Sequence, residues 1–242
     1  MSRRKFIGNM ASGLAMTAAG VLPSWAQKPK VSRLVIVGGA EDRLQDRIIL
    51  RKFSEYCGGS QAKIRIITAA SGDPQAVWQS YREAFHALGV RDVERLPIDD
   101  RESAQAAAVQ AEILQADGIF MSGGDQSKLM AILWDSLAYQ SLHQSFHMNA
   151  CCIGGTSAGA AVMSRHMIAQ GPSVLRPSKE AVDTDIGLGF LSQAVVDQHF
   201  SERRRLPRLL STLAMRPDLL GVGIDEDTAL VIERGEGIEV IG

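Results

Sequence analysis

The chain has 242 residues, 45% of them hydrophobic and 22% charged, with a formal charge of −1. That suits one well-buried domain of the α/β size range and excludes partners recognised through bulk charge, such as nucleic acid or an anionic membrane surface. Aromatics are only 5% of the residues, while Gly, Ala, Val, Ile and Leu are plentiful, as close-packed parallel strands under helices require.

The first 26 residues stand apart. Ser2-Arg3-Arg4-Lys5-Phe6 leads a mildly apolar run over 7–22, and Ser24-Trp25-Ala26 has the small-x-small form of a cleavage site. The paired arginines and following Phe resemble the twin-arginine export signal, departing from it at Ile7 and Gly8. Gly8, Asn9, Ser12, Gly13 and Gly20 break the run too often for a stable membrane span. The expected arrangement is a signal over 1–26 and one domain over 27–242, exported folded to the periplasm or beyond. Losing the segment removes three cations, Arg3, Arg4 and Lys5, and no anion.

Apolar runs and helical spacings then alternate. Arg33–Val37 is a short apolar run ending in Gly38-Gly39, the mark of a buried strand. The spacing over 44–56 predicts a helix with Leu44, Ile48, Phe53 and Tyr56 on its inner face. A second strand is expected over 63–68, and Pro74 opens a helix running to Leu88 that Gly89 closes. A third strand over 93–96 precedes an alanine-rich helix over 103–115. Gly118–Met121 forms a fourth strand, ending in Ser122-Gly123-Gly124-Asp125-Gln126, with helices from there to Met148. The fifth strand carries Cys151-Cys152-Ile153-Gly154-Gly155. Beyond residue 170 the pattern gives strands over Ala194–Gln198, 220–225, Ala229–Glu233 and 238–241, with one helix over 202–215.

This rhythm predicts an α/β fold: a doubly wound, mostly parallel sheet with helices on both faces. Ligands bind beyond the carboxyl ends of such strands, where the turns Gly38-Gly39, Gly123-Gly124 and Gly154-Gly155 should gather. Cys57, Cys151 and Cys152 cannot make a full set of bridges, and the vicinal pair suits disulfide geometry poorly. There is no C-x-x-C, and neither metal nor cofactor is assigned.

Gly155-Thr156-Ser157-Ala158-Gly159 fits the G-x-S-x-G pattern of a nucleophile elbow, a strained strand-to-helix turn that lifts a serine hydroxyl clear of the sheet. Its glycines are needed where strand and helix pass too close for a larger side chain. Such a serine needs a base, and the base an orienting acid. Of the five histidines, His86 falls on a polar helix face. His143 and His147 are an i, i+4 pair expected to be solvated, and His166 is placed one or two turns past the serine, pointing away from it. His199 ends the strand Ala194–Gln198, at the sheet edge where the serine should emerge. For the acid, Asp225, Glu226 and Asp227 all end a strand, and spacing alone does not choose among them.

Four blocks in order resemble the cyanophycinases: Ser122-Gly123-Gly124-Asp125-Gln126, Gly155-Thr156-Ser157-Ala158-Gly159-Ala160, Asp197-Gln198-His199-Phe200-Ser201-Glu202-Arg203-Arg204-Arg205-Leu206, and Gly223-Ile224-Asp225-Glu226-Asp227-Thr228-Ala229. These are serine peptidases related to the aspartyl dipeptidases, within the class I glutamine-amidotransferase-like fold. The resemblance spans nearly the whole chain from Arg33. It implies Ser157 as nucleophile, His199 as base and Glu226 as orienting acid, with Ala158 N–H and an N–H of the Gly123-Gly124-Asp125 turn, Gly124 foremost, as the oxyanion hole. It also implies Gln126, Asp197, Gln198, Arg203 and Arg205 in the substrate pocket, where arginine suits free carboxylates and Asp197 a guanidinium. Arg204 and Arg208, at i, i+4, fit a solvated helix face. Arg204 replaces an expected glycine and Asp227 an expected asparagine, and 171–177 matches the family's loop only in part.

The activity implied is hydrolysis of cyanophycin, a polyaspartate with arginine on each β-carboxyl, to β-aspartyl-arginine. The partner is then an aspartate- and arginine-rich polymer or peptide, and a homodimer is expected. Two rival readings are an exported aspartyl or isoaspartyl dipeptidase and a non-catalytic periplasmic peptide binder. An α/β-hydrolase esterase fits less well, because that fold orders its triad serine, acid, histidine.

Overall fold

A computed structural model describes residues 31–170, 177, 182–233 and 237–242. The signal expected over 1–26 and most of the segment 171–177 lie outside the described residues. Five parallel strands form the centre: β1 (Arg33–Val37), β2 (Lys63–Ile67), β3 (Asp92–Arg95), β4 (Gly118–Met121) and β5 (Cys152–Thr156). Their order is β1-β5-β4-β2-β3. Next to β1, β10 (Ala229–Glu233) and then β11 (Gly237–Ile241) add antiparallel, completing seven strands.

Alternation along the strands divides the core in two. Leu34, Ile36, Ile67, Ile119, Met121 and Ile153 face one layer. It is built from α3 (Ala107–Gln115), α4 (Gln126–Leu133), α5 (Leu137–Met148) and the short α6 (Ala158–Ala161). Val35, Val37, Ile64, Ile66 and Phe120 face α1 (Ile48–Cys57) and α2 (Pro74–Ala87). There the Phe120 ring lies 5.2 Å from both Phe53 and Tyr81, an aromatic cluster that adds directional packing to area burial. Helices thus cover both faces, and strands with no wet side read as continuous apolar runs.

The remaining elements stand off this sheet. β6 (His166–Gln170) and β7 (Asp183–Ile186) form an antiparallel pair. β8 (Ala194–Gln198) and β9 (Leu220–Ile224) pair in parallel, joined through α7 (Leu206–Met215). Among the described residues no helix is long and apolar enough to cross a membrane.

Several expectations need correction. Leu44 and Ile48 are 81% and 51% exposed, not inner-face residues. Asp42 accepts the N–H groups of Leu44, Gln45 and Arg47, and Arg47 takes a left-handed φ of 51°. The side chain therefore offers the backbone a loop in place of the helix, and the buried face becomes Ile49, Leu50, Phe53 and Cys57. The helix expected from 103 is a 3-10 turn, Ser103–Gln105, with Ala106 extended before α3; Ser103 and Asp100 exchange hydrogen bonds that close this turn locally. The helix expected from 202 starts at Leu206, because Arg204 has a φ of 50° and 201–204 form turns. His166 is not on a helix beyond the serine. α6 ends at Ala161, and His166 opens β6.

At the elbow the chain packs backbone against backbone. A Cβ on Gly159 would lie 2.3 Å from the Met121 carbonyl oxygen, backbone that cannot yield. Gly159→Ala should therefore lower stability by about 2–3 kcal/mol, measured as a reduced urea midpoint. Gly72→Ala, which meets nothing within 4 Å, should stay within about 0.5 kcal/mol.

Candidate active site

β5 delivers Ser157 into a turn that only a close-packed surround can hold. Its backbone sits at φ 51°, ψ −108°, a strained conformation for a residue with a side chain. The Ser157 N–H is fixed by the Val37 carbonyl at 3.1 Å. A Cβ on Gly155 would sit 2.4 Å from the Gly159 carbonyl oxygen, so strand and helix cross here in backbone contact.

His199 follows the last residue of β8 with a φ of 49°, and its N–H bonds the Gly38 carbonyl at 2.8 Å. The imidazole lies flat against Gly39, where a Cβ would come 2.2 Å from the ring Cε1. This is the reason for the second glycine after β1. His199 Nε2 is 2.8 Å from Ser157 Oγ, and its Nδ1 is 2.6 Å from Glu226 Oε1. With Nδ1–H donating to the carboxylate, Nε2 is left as an acceptor for the serine proton.

The geometry also separates three adjacent acids that spacing could not. Asp225 Oδ1 accepts the Ser201 N–H, and Asp227 Oδ1 accepts the Asp42 N–H. Only Glu226 of the three reaches the imidazole. The turn after β4 flanks the serine from the other side, since a Cβ on Gly123 would be 3.3 Å from Ser157 Cβ. Asp125 N–H is bonded to the Ala70 carbonyl, and its carboxylate caps α4. Within that turn the Asp125 N–H is therefore already taken, and Gly123 and Gly124 precede it while Ala158 opens α6.

Other expected pocket residues serve the frame. Gln126 donates its amide to the Ile168 and Ala169 carbonyls, tying α4 to β6. Asp197 has no exposure and holds both Arg208 and Arg205. Arg208 Nε is 3.1 Å from Oδ2 with a second bond to Oδ1, and Arg205 Nη1 is 3.5 Å from Oδ1. Arg205 also donates to the Gln198 carbonyl at 2.5 Å. The Asp197 carboxylate is thus filled by the chain's own guanidiniums. Burial, with the Arg208 charge beside it, pushes the Arg205 guanidinium down to about 10. Arg208 is correspondingly not on a solvated helix face, whereas Arg203 and Arg204 are exposed.

His143 also departs from expectation. It is half-buried, with Nε2 2.8 Å from the Leu188 carbonyl and its ring 4.8 Å from Phe190, and burial lowers its pKa. His86 and His147 are exposed. All three cysteines are buried and none is in a disulfide, and among the described residues no group of His, Cys, Asp and Glu is placed to hold a metal ion.

Sequence reasoning passed over Glu41. Only 4% exposed, it accepts the Thr156 hydroxyl on Oε2 and the Tyr81 hydroxyl on Oε1, each at 2.5 Å. The available signal was an acid four residues beyond the end of a strand whose last four residues are apolar.

Residues 34–241 match peptidase family S51. The chain is 41% identical to a cyanophycinase of Geminocystis herdmanii, over 87% of this chain and 78% of that one. It is 42% identical to one of Trichormus variabilis, over 86% and 70%, and 44% identical to one of Synechococcus elongatus, over 86% and 65%. Among solved structures, a peptidase from an acI-B1 actinobacterium superposes with a TM-score of 0.67 at 24% identity, covering 88% of each chain. A putative peptidase E of Listeria monocytogenes superposes with 0.58 at 19%, covering 87% of this chain and 98% of that one. These two likenesses speak to the fold. The chain belongs to peptidase family S51, and is a serine-type peptidase.

Proposed function

We propose that the protein is an exported cyanophycinase, cutting the polyaspartate backbone of cyanophycin to release β-aspartyl-arginine. The observation that carries this reading is the hydrogen-bonded chain Ser157–His199–Glu226, in a sequence 41–44% identical to cyanophycinases.

The mechanism is acyl transfer. Ser157 Oγ attacks the backbone carbonyl next to a branched aspartate while His199 Nε2 takes its proton. Glu226 holds Nδ1–H and stabilises the imidazolium that forms. The oxyanion is received by the Ala158 N–H and the Gly124 N–H, fixed dipoles that need no reorganisation as charge develops. His199 returns its proton to the leaving amine, and water, activated by the same imidazole, clears the acyl-enzyme. Of the polar residues expected in the pocket, Arg203 is exposed beside His199 and is the proposed contact for substrate carboxylates.

Export rests on the sequence Ser2-Arg3-Arg4-Lys5-Phe6 and the Ser24-Trp25-Ala26 site. An exported enzyme would act on polymer released by other cells.

Incubating residues 27–242 with purified cyanophycin should release β-aspartyl-arginine, while Ser157→Ala should release none above background. Hydrolysis of β-aspartyl dipeptides with the polymer left intact would move the reading to a dipeptidase. No turnover of either by folded protein would favour a binder. Glu226→Gln should keep the fold but reduce kcat by about three orders of magnitude; a larger loss in Asp225→Asn would overturn the choice of acid. For export, residues 1–26 fused to a folded reporter should carry it across the inner membrane, and Arg3→Lys with Arg4→Lys should retain it in the cytoplasm.

A further inference from the structure

Glu41 is the one side chain of the 38–42 turn that enters the core beneath the elbow. Its carboxylate is buried, and desolvating such a group is costly unless donors replace its water. Two hydroxyls do so, with Arg43 Nε 3.9 Å from Oε1 as an ion-pair partner. The Tyr81 hydroxyl comes from α2, in the aromatic cluster. The Thr156 hydroxyl comes from the residue immediately before Ser157. Burial, and then the Glu41 charge, raise the Tyr81 pKa well above its ordinary value, so both partners remain donors. The carboxylate thus ties the 38–42 turn to the last residue of β5, where the chain must turn into the strained Ser157 conformation.

We propose that Glu41 is a positioning residue for the nucleophile. Its bond to Thr156 Oγ1 holds the end of β5 so that Ser157 Oγ stays 2.8 Å from His199 Nε2. The same turn fixes the base, through Gly38 O on His199 N–H and Gly39 against the ring. Glu41 therefore sets the distance between nucleophile and base from one short segment. The inference rests on Ser157 being the nucleophile and is independent of which peptide is cut. It concerns kcat, because Glu41 and Thr156 are buried and touch no substrate.

Two variants of matched chemistry test it. Thr156→Val and Tyr81→Phe each remove one hydroxyl from the same carboxylate, but only Thr156 leads to the elbow. The expected result is a roughly 10-fold lower kcat for Thr156→Val with KM within about 2-fold. For Tyr81→Phe, kcat should stay within about 2-fold, although Tm falls by a few degrees in both. Glu41→Ala should lose about 100-fold in kcat, and Glu41→Gln, which keeps an acceptor for Thr156, should recover most of it. A purely structural role predicts equal effects of Thr156→Val and Tyr81→Phe, and that outcome overturns the proposal even if Glu41→Ala fails to fold. The second readout is the rate at which a fluorophosphonate labels Ser157, with fluoride leaving as the Oγ–phosphorus bond forms. It should follow the same order among the variants. Labelling without cyanophycin hydrolysis would reject the polymer as substrate while leaving this test intact. No labelling of the wild type would overturn the proposal together with the serine assignment.

Discussion

The turn leaving β1 is the mechanical reference for the site. Val37 O receives the Ser157 N–H, Gly38 O the His199 N–H, and Gly39 O the Asp227 N–H, while Gly38 N–H bonds Thr228 O and Asp42 N–H bonds Asp227. Three segments far apart in sequence are thereby fastened to six consecutive residues. β1 itself is among the most buried elements, paired on one side with β5 and on the other with β10. Rigidity at that point matters because a displacement near 1 Å between reacting groups removes about a hundredfold in rate.

Such fastening coincides with four of the eight non-glycine residues of positive φ among the described residues. Ala40, Ser157, His199 and Asp227 all have φ between 47° and 51°, at about 1–3 kcal/mol each for residues with side chains. All four border the β1 turn or bond to it. Strain of this size persists only where the surroundings leave no alternative. The backbone crossings at Gly155, Gly159 and Gly38 supply that constraint.

Much of the fold was legible because burial on both faces turns β1, β4 and β5 into short, mostly apolar runs that contain or adjoin glycine. The helix starts were misplaced wherever a polar side chain competes for backbone N–H groups, as Asp42 does for 44–47 and Ser103 with Asp100 does before α3. β6 and β7 were missed because β7, Asp-Thr-Asp-Ile, is exposed along its whole length and carries no burial pattern. At the site, the serine and histidine were marked by the elbow glycines and a strand end. The acid was not, because Asp225, Glu226 and Asp227 are equivalent until the partners of two of them are known. Arg208 looked like surface because a charge pattern does not reveal that Asp197 lies beneath it.

Three carboxylates show how environment divides labour. Asp197 is sealed and held by two arginines, so it joins α7 to β8 and braces the strand that ends at His199. Glu41 is sealed and held by two hydroxyls that tie it to α2 and to the elbow, with Arg43 Nε 3.9 Å from its Oε1. Glu226 keeps 36% of its side chain exposed, so water carries part of its charge and no permanent cation is required. An acid that must balance a transient imidazolium has to be free of a standing counter-ion, since a resident guanidinium would already have taken its charge. Exposure and reach together, more than acidity, fit Glu226 and not Asp197 to that task.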